Sequence, residues 1–341
     1  MIKRLISFMI LFLYPFWAYA DLKKVLSIGS DDINYRFFMV AAAVLDEQNN
    51  VYIFDSKGSF LRKYDSQGKF IKEIGKYGQG PGEFSNAISG LYLIDDLFVL
   101  DAGNNRISVL DRDLNIKKYI KIDRRPLSIM KLGDLFYMVS RKAGEPYPEI
   151  GIFDAEGNLL RSFFDQRPAF LNKMEQSKFG YALSLIYSTI ATTINRETGE
   201  IAITFQWPDK NIEIFIFTKE GKFIKKTVAE HIINYNFPEF RLKGLPQVLT
   251  YPDRSNLIMV RTIHYLTQDK LLLEYWVSSY QSDKAVEEKE YILVVDKNSG
   301  RLVHKEILPI KIGIADVRGN HICAVSNEGE LPEVIIYNFI Y

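Results

Sequence analysis

Thiols and imidazoles are scarce in this chain. It has 1 Cys and 4 His in 341 residues. A single cysteine excludes an intramolecular disulfide and any zinc site built on several thiolates. Charge imbalance is also absent, with 43 Lys and Arg against 42 Asp and Glu. That balance lacks the basic surface by which a general nucleic-acid binder displaces counterions. It equally excludes a disordered acidic tail. Gly (21) and Pro (12) are too few for a collagenous or low-complexity chain. Long amphipathic helical patterns are nearly absent, which counts against a two-domain α/β protein. What remains is a chain that is 47% hydrophobic and 13% aromatic, rich in short runs of Ile, Val, Phe and Tyr.

Residues 1–20 read as a secretory signal peptide. Lys3 and Arg4 form the charged start, and Leu5 to Phe16 is apolar except for Ser7. Ala18-Tyr19-Ala20 fits the small-x-small cleavage rule. The apolar stretch is well short of the ~20 residues that span a bilayer, and no cysteine follows it to carry a lipid. The expected product starts at Asp21 with 41 basic and 42 acidic residues, a formal charge of −1. The expectation is an exported protein, periplasmic or secreted, with no membrane span after removal of the leader.

A repeat runs through residues 21–341. Each copy has an apolar strand, a polar turn, a second apolar strand, a loop, a third strand, a turn of the D-x-x-G kind and a fourth strand. The first copy shows Val40–Leu45, Val51–Asp55, Ser59–Tyr64 and Lys69–Gly75, with Asp65-Ser66-Gln67-Gly68 as its last turn. The ends of the third strands, at Asp65, Asp111, Asp154, Thr218, Asp296 and Asn338, lie 46, 43, 64, 78 and 42 residues apart. Three spacings match the ~40–50 residues of a four-stranded propeller blade. Little alternation within strands suits sheets covered on both faces. The sixth copy stops after three strands, while Lys23–Gly29 is a spare strand resembling Lys69–Gly75. The fold expected is therefore an all-β, six-bladed β-propeller of four antiparallel strands per blade, closed by the N-terminal strand. Insertions are expected at about 165–187, 229–245 and 263–290.

Gly75-Lys76-Tyr77-Gly78-Gln79-Gly80-Pro81-Gly82-Glu83-Phe84 resembles the G-x-G-P-G-x-F linker of NHL-repeat propellers. Leu97 to Leu110, with Asp101, Asn105 and Arg106, resembles the I-Y-V-x-D-x-x-N-x-R-I-x-V-F core of the same family. The match is close over residues 75–111 and weaker on either side. The resemblance implies an exported bacterial six-bladed propeller. Propellers of this group include scaffolds, peptide or sugar binders, and some lyases and hydrolases, so the resemblance does not fix an activity.

Catalytic signatures are thin. The glycine-rich stretch is followed by no Lys-Ser/Thr and opens no helix, so it reads as a linker and not a phosphate loop. Asp296-Lys297-Asn298-Ser299-Gly300 lacks the distal Glu of a calcium loop and reads as a hairpin turn. Cys323 lies in an apolar run and reads as a buried, inert thiol. The reading calls for no cofactor. A divalent metal ion enters only with the alternative function, a metal-dependent lyase or hydrolase seated over the central pore.

By the up-down course of the strands, all three insertions fall on one face. The candidate ligand-binding residues there are Arg141, Tyr147, Trp207, Arg241, His264 and Trp276, with Arg106 as a fork able to reach a pore mouth. Aromatics beside arginines suit a protein, peptide or glycan partner. The leading expectation is a monomeric, exported binding protein that recognises its ligand or partner on this face.

Overall fold

A computed structural model describes residues 21–29, 36–141, 145, 147–164, 189–208, 211–230, 241–243, 248–250, 255–281, 284–308, 312–327 and 331–340. Residues 1–20, read as a leader, and 165–187, read as an insertion, lie outside these residues. Six four-stranded antiparallel sheets follow one another along the chain. Blade one comprises Val40–Leu45, Val51–Asp55, Phe60–Tyr64 and Phe70–Ile74. Blade two comprises Ile88–Leu93, Leu97–Asp101, Arg106–Leu110 and Ile116–Lys121. Blade three runs from Arg125–Leu132 through Leu135–Arg141 and Glu149–Phe153 to Leu159–Phe163. Blade four runs from Ile190–Ile194 through Ile201–Phe205 and Ile212–Phe217 to Phe223–Ala229. Among the described residues no helix is long and apolar enough to cross a membrane.

The apolar runs form a two-sided core. Val51–Asp55 and Leu97–Asp101 are buried at every position, whereas the outer strand Phe70–Ile74 alternates. An inner strand is covered by a neighbouring blade on each face; an outer strand keeps one edge in water. The buried side chains gather into six clusters, one between each pair of adjacent blades. The cluster between blades six and one joins Ile28, Val334 and Ile336 to Val51 and Ile53, so the ring is closed.

Closure uses the N-terminal strand. Asp21–Ile28 pairs antiparallel with Glu333–Ile340 and becomes the outer strand of blade six, beside Gly313–Arg318 and His321–Ser326. The likeness of Lys23–Gly29 to Lys69–Gly75 is therefore structural. Gly29 and Gly75 both end fourth strands, at φ +128 and +113. A Cβ would meet the ring of Phe37 at 2.7 Å in the first case and of Phe84 at 2.7 Å in the second. Only glycine fits either position.

The turns between third and fourth strands share one chemistry. Asp65 Oδ1 accepts from the amides of Gln67 and Lys69, Asp111 Oδ1 from Asp113 and Asn115, and Asp154 Oδ1 from Glu156 and Asn158. The Thr218 hydroxyl accepts equivalently from Glu220 and Lys222. Asp296 Oδ1 accepts from Asn298 and Ser299, so this segment is the hairpin turn expected of it.

Blade five differs from its sequence reading. Its first strand is Ser255–Tyr265, its second Lys270–Gln281, its third Lys284–Asp296 and its fourth Leu302–Ile307. Residues 263–290, expected as an insertion between the second and third strands, instead extend the first three strands. Leu257–Thr262 lies within the first strand. Val248–Thr250 pairs with Arg241–Lys243 in a separate ribbon. The apolar pattern of the third strand reads as a short strand preceded by a loop, because the charged run Glu287–Glu290 at its upper end interrupts it.

Candidate functional site

The three long strands of blade five rise above their neighbours on the face that carries the fourth-to-first and second-to-third connections. On the side facing blade six, the lower part of this sheet is apolar. Leu272, Ile292 and Val294 pack there on Ile314, Ile322 and Ile335. Strand geometry puts every second residue on the same side, so Glu274, Trp276 and Ser278 continue the column upward. Blade six begins with a strand of six residues against eleven in blade five, so its first strand is much the shorter. Above it lies a cavity of about 510 Å³ lined by Arg261, Trp276, Glu288, Asn327, Val40 and the Gly313–Ala315 backbone.

Arg261 organises this site. It stands where the pairing of the first and second strands shifts, between Val260 and Thr262. Its guanidinium lies 2.5 Å from Glu290 and 3.9 Å from Glu274, and 5.6 Å from the Trp276 ring. Both carboxylates are buried, and each also holds the connection into blade six. Glu290 accepts from the amide of Ile312 at 3.1 Å and Glu274 from that of Ile314 at 3.1 Å. Thr262 donates to Glu274. Burial pushes the Glu274 carboxyl up to about 8, aided by the neighbouring Glu290 and opposed by Arg261. The cavity therefore offers an aromatic face, a cation and the Glu288 carboxylate, with the buried Glu274 and Glu290 beneath them.

Trp276 lines this cavity. Arg141 ends the second strand of blade three, and Tyr147 and Trp207 lie in second-to-third connections of blades three and four. By strand direction they share the face of Trp276. Arg241 begins the small ribbon, and its side chain lies outside the described part of the structure. His264 is not on that face. It lies near the lower end of the first strand of blade five and lines the opposite mouth of the pore. Its partner-free Nε2 is buried, and burial lowers its affinity for a proton.

Arg106 reaches no pore mouth. Its guanidinium donates to the carbonyls of Gln79 at 2.9 Å, Gly80 at 3.3 Å and Glu83 at 2.7 Å, and stacks 4.4 Å from the Tyr119 ring. Asp101, fully buried, lies 3.7 Å from its Nε and accepts from Ser85 and Asn104. Asn105 turns the chain at φ 50. The Asp-Asn-Arg constellation therefore fastens the glycine-rich linker to blade two. Arg106→Ala leaves Asp101 without its cation and three carbonyls without a donor. It is expected to lower the unfolding free energy by about 2–3 kcal/mol, read as a lower urea midpoint.

Arg261, Glu274 and Glu290 were not among the residues expected from sequence. Their signal was available as charged residues interrupting apolar strands, at Val-Arg-Thr, Leu-Glu-Tyr and Lys-Glu-Tyr. Among the described residues, no group of three or more His, Cys, Asp or Glu is placed to hold a metal ion.

The architecture is that of an all-β six-bladed propeller. Over residues 40–166, blades one to three, the chain matches DUF5128, a family described as a 6-bladed beta-propeller. Comparison with curated proteins gives no match. Among solved structures, it is similar to a member of the DUF4221 family from Bacteroides vulgatus, at 9% identity and TM-score 0.56, covering 94% of this chain and 98% of that one. It is also similar to virginiamycin B lyase from Staphylococcus aureus, at 12% identity and TM-score 0.50, covering 94% and 100%. Identities this low speak to the fold alone.

Proposed function

We propose that this chain is an exported binding protein of the propeller class, which recognises a ligand or a protein partner on the face above blade five. The observation that carries the reading is the Arg261–Trp276 pair set in a cavity between a tall blade and a short one. Tryptophan and arginine are the side chains most often found as binding anchors, because each gives a large contact area with a polar handle. Here the arginine is held by two buried glutamates, which limits the freedom it loses on binding. Trp207, Tyr147 and Arg141, on the same face, extend the surface toward a peptide or glycan. The leader-like residues 1–20 support export. The linker at 75–84 supports an NHL-like origin of the blades.

The test compares capture from the exported fraction by the wild-type chain and by a Trp207→Ala/Trp276→Ala variant with an unchanged melting temperature. At least a tenfold loss of the captured component is expected. Equal capture by the folded variant rejects this face as the binding surface.

A further inference from the structure

The opposite mouth of the pore carries a second, independent constellation. The lower ends of all six first strands, with the turns that follow those of blades four, five and six, surround a cavity of about 430 Å³, the size of a small-molecule site. Two arginines from different blades converge in it. Arg196 Nη2 donates to the carbonyl of Leu93 at 3.2 Å, and Arg318 Nη2 donates to the same oxygen at 3.0 Å. Two guanidinium groups are thereby gathered around one carbonyl.

Their surroundings differ. Arg318 is neutralised by Glu47, at 2.6 Å, and Glu47 also holds Arg112. Arg196 has no carboxylate within 4 Å among the described residues; its one hydrogen bond there is to Leu93. The other acids facing the mouth are engaged. Asp316 accepts from the amides of Leu45 and Val317, and Asp95 pairs with Lys131. Glu197 stands at the open rim. Arg196 thus presents a fork of uncommitted donors toward the cavity. Partial desolvation and the charge of Arg318 both weaken its hold on its proton, a strain that a bound anion would relieve.

An independent observation points the same way. His264 lines this cavity, and its Nε2 is buried without a hydrogen-bond partner. Buried polar nitrogens are rarely left so unless a ligand or water completes them.

We propose that this mouth is a binding site for the oxyanion group of a small molecule, a carboxylate or a phosphate, held by Arg196 and Arg318 with His264 as the further hydrogen-bonding group. Planar guanidinium forks match both anions in two-point contacts. The site is separate from the face assigned to partner binding, since it lies at the other end of the pore and the two cavities share only Ala315.

The test titrates the full-length processed protein with inorganic phosphate and with succinate, against sodium chloride of matched ionic strength. Saturable stabilisation by at least one anion above the chloride control is expected, and the preferred anion tells phosphate from carboxylate recognition. Arg196→Gln should weaken that binding at least tenfold. The substitution breaks no ion pair, so the fold should survive. In the wild-type protein, the ring resonances of His264 should shift with the saturating anion while those of His304, on the outer strand of blade five, stay fixed. Stabilisation no greater than chloride gives, or unchanged binding by Arg196→Gln together with a stationary His264 signal, overturns the proposal.

Discussion

A chain that begins at Gly29, lacking the strand Asp21–Ile28, is expected to melt on the order of 10 °C earlier than the chain that retains it and to associate at micromolar concentration. The strand buries Ile28, and packs Leu22 and Leu26 against the clusters on either side of blade six. Losing three such contacts costs about 4 kcal/mol at roughly 1.5 kcal/mol each, which corresponds to a shift of that order in a domain this large. Association follows from the edge left behind. Glu333–Ile340 would expose its unpaired amides and carbonyls along a strand whose side chains are mostly buried, and such an edge recruits another chain. Calorimetry and light scattering of the two forms decide the matter. An unchanged melting temperature with a monomeric product would mean that the ring does not depend on this strand.

The ring closure was legible because it repeats a local pattern. Lys23–Gly29 and Lys69–Gly75 are alike because both must alternate on an outer edge and then bend at a glycine pressed against a phenylalanine. The Asp-headed turns were legible for a similar reason, since each needs its carboxylate a few residues ahead of the two amides it accepts from: two and four at Asp65, Asp111 and Asp154, two and three at Asp296. These features are short-range, so a single sequence records them. Blade five was not legible in the same way, because height is not a local property. A strand of eleven residues and a strand of six followed by a loop differ only in what stands opposite, and the charged run Glu287–Glu290 at the upper end of the third strand erased the apolar signal there.

The candidate sites were legible only in part, for the same physical reason. Trp276 stood out by its side chain alone. Its partners Arg261 and Glu290 come from the two flanking strands, which meet only through sheet register: Met259 and Glu290 lie opposite Trp276. Arg196, Arg318 and Glu47 come from three blades and converge because every first strand ends at the same mouth. No spacing in the chain encodes that meeting. Arg106 had the opposite fate. Its motif was the clearest in the sequence, and it serves the linker between blades one and two.

Glu274→Gln is expected to flatten the dependence of stability on pH. In the folded protein the Glu274 carboxyl keeps its proton up to about 8, whereas an exposed glutamate releases it near 4.3. Between these values the native state binds more protons than the unfolded one, so the stability this group supplies is complete at low pH, declines as pH rises through the window and is gone above pH 8. A tenfold difference in proton affinity between the two states is worth about 1.4 kcal/mol, and coupling to Glu290 and Arg261 spreads part of the effect over the cluster. The decline assigned to Glu274 is therefore on the order of 2–4 kcal/mol. Glutamine keeps an oxygen for the amide of Ile314 and carries no charge to bury. The variant should match the wild-type protein near pH 5 and exceed it in unfolding free energy at pH 8.5 by that amount, measured by urea denaturation at several pH values. Parallel profiles for the two proteins would show that Glu274 titrates normally and that Arg261 neutralises both carboxylates. The same proton sits beneath Trp276, within the cluster that Arg261 joins. Raising the pH toward 8.5 adds a negative charge under the arginine, so an anionic partner on this face should bind more weakly there, and a cationic one more tightly, in the wild-type protein but not in Glu274→Gln.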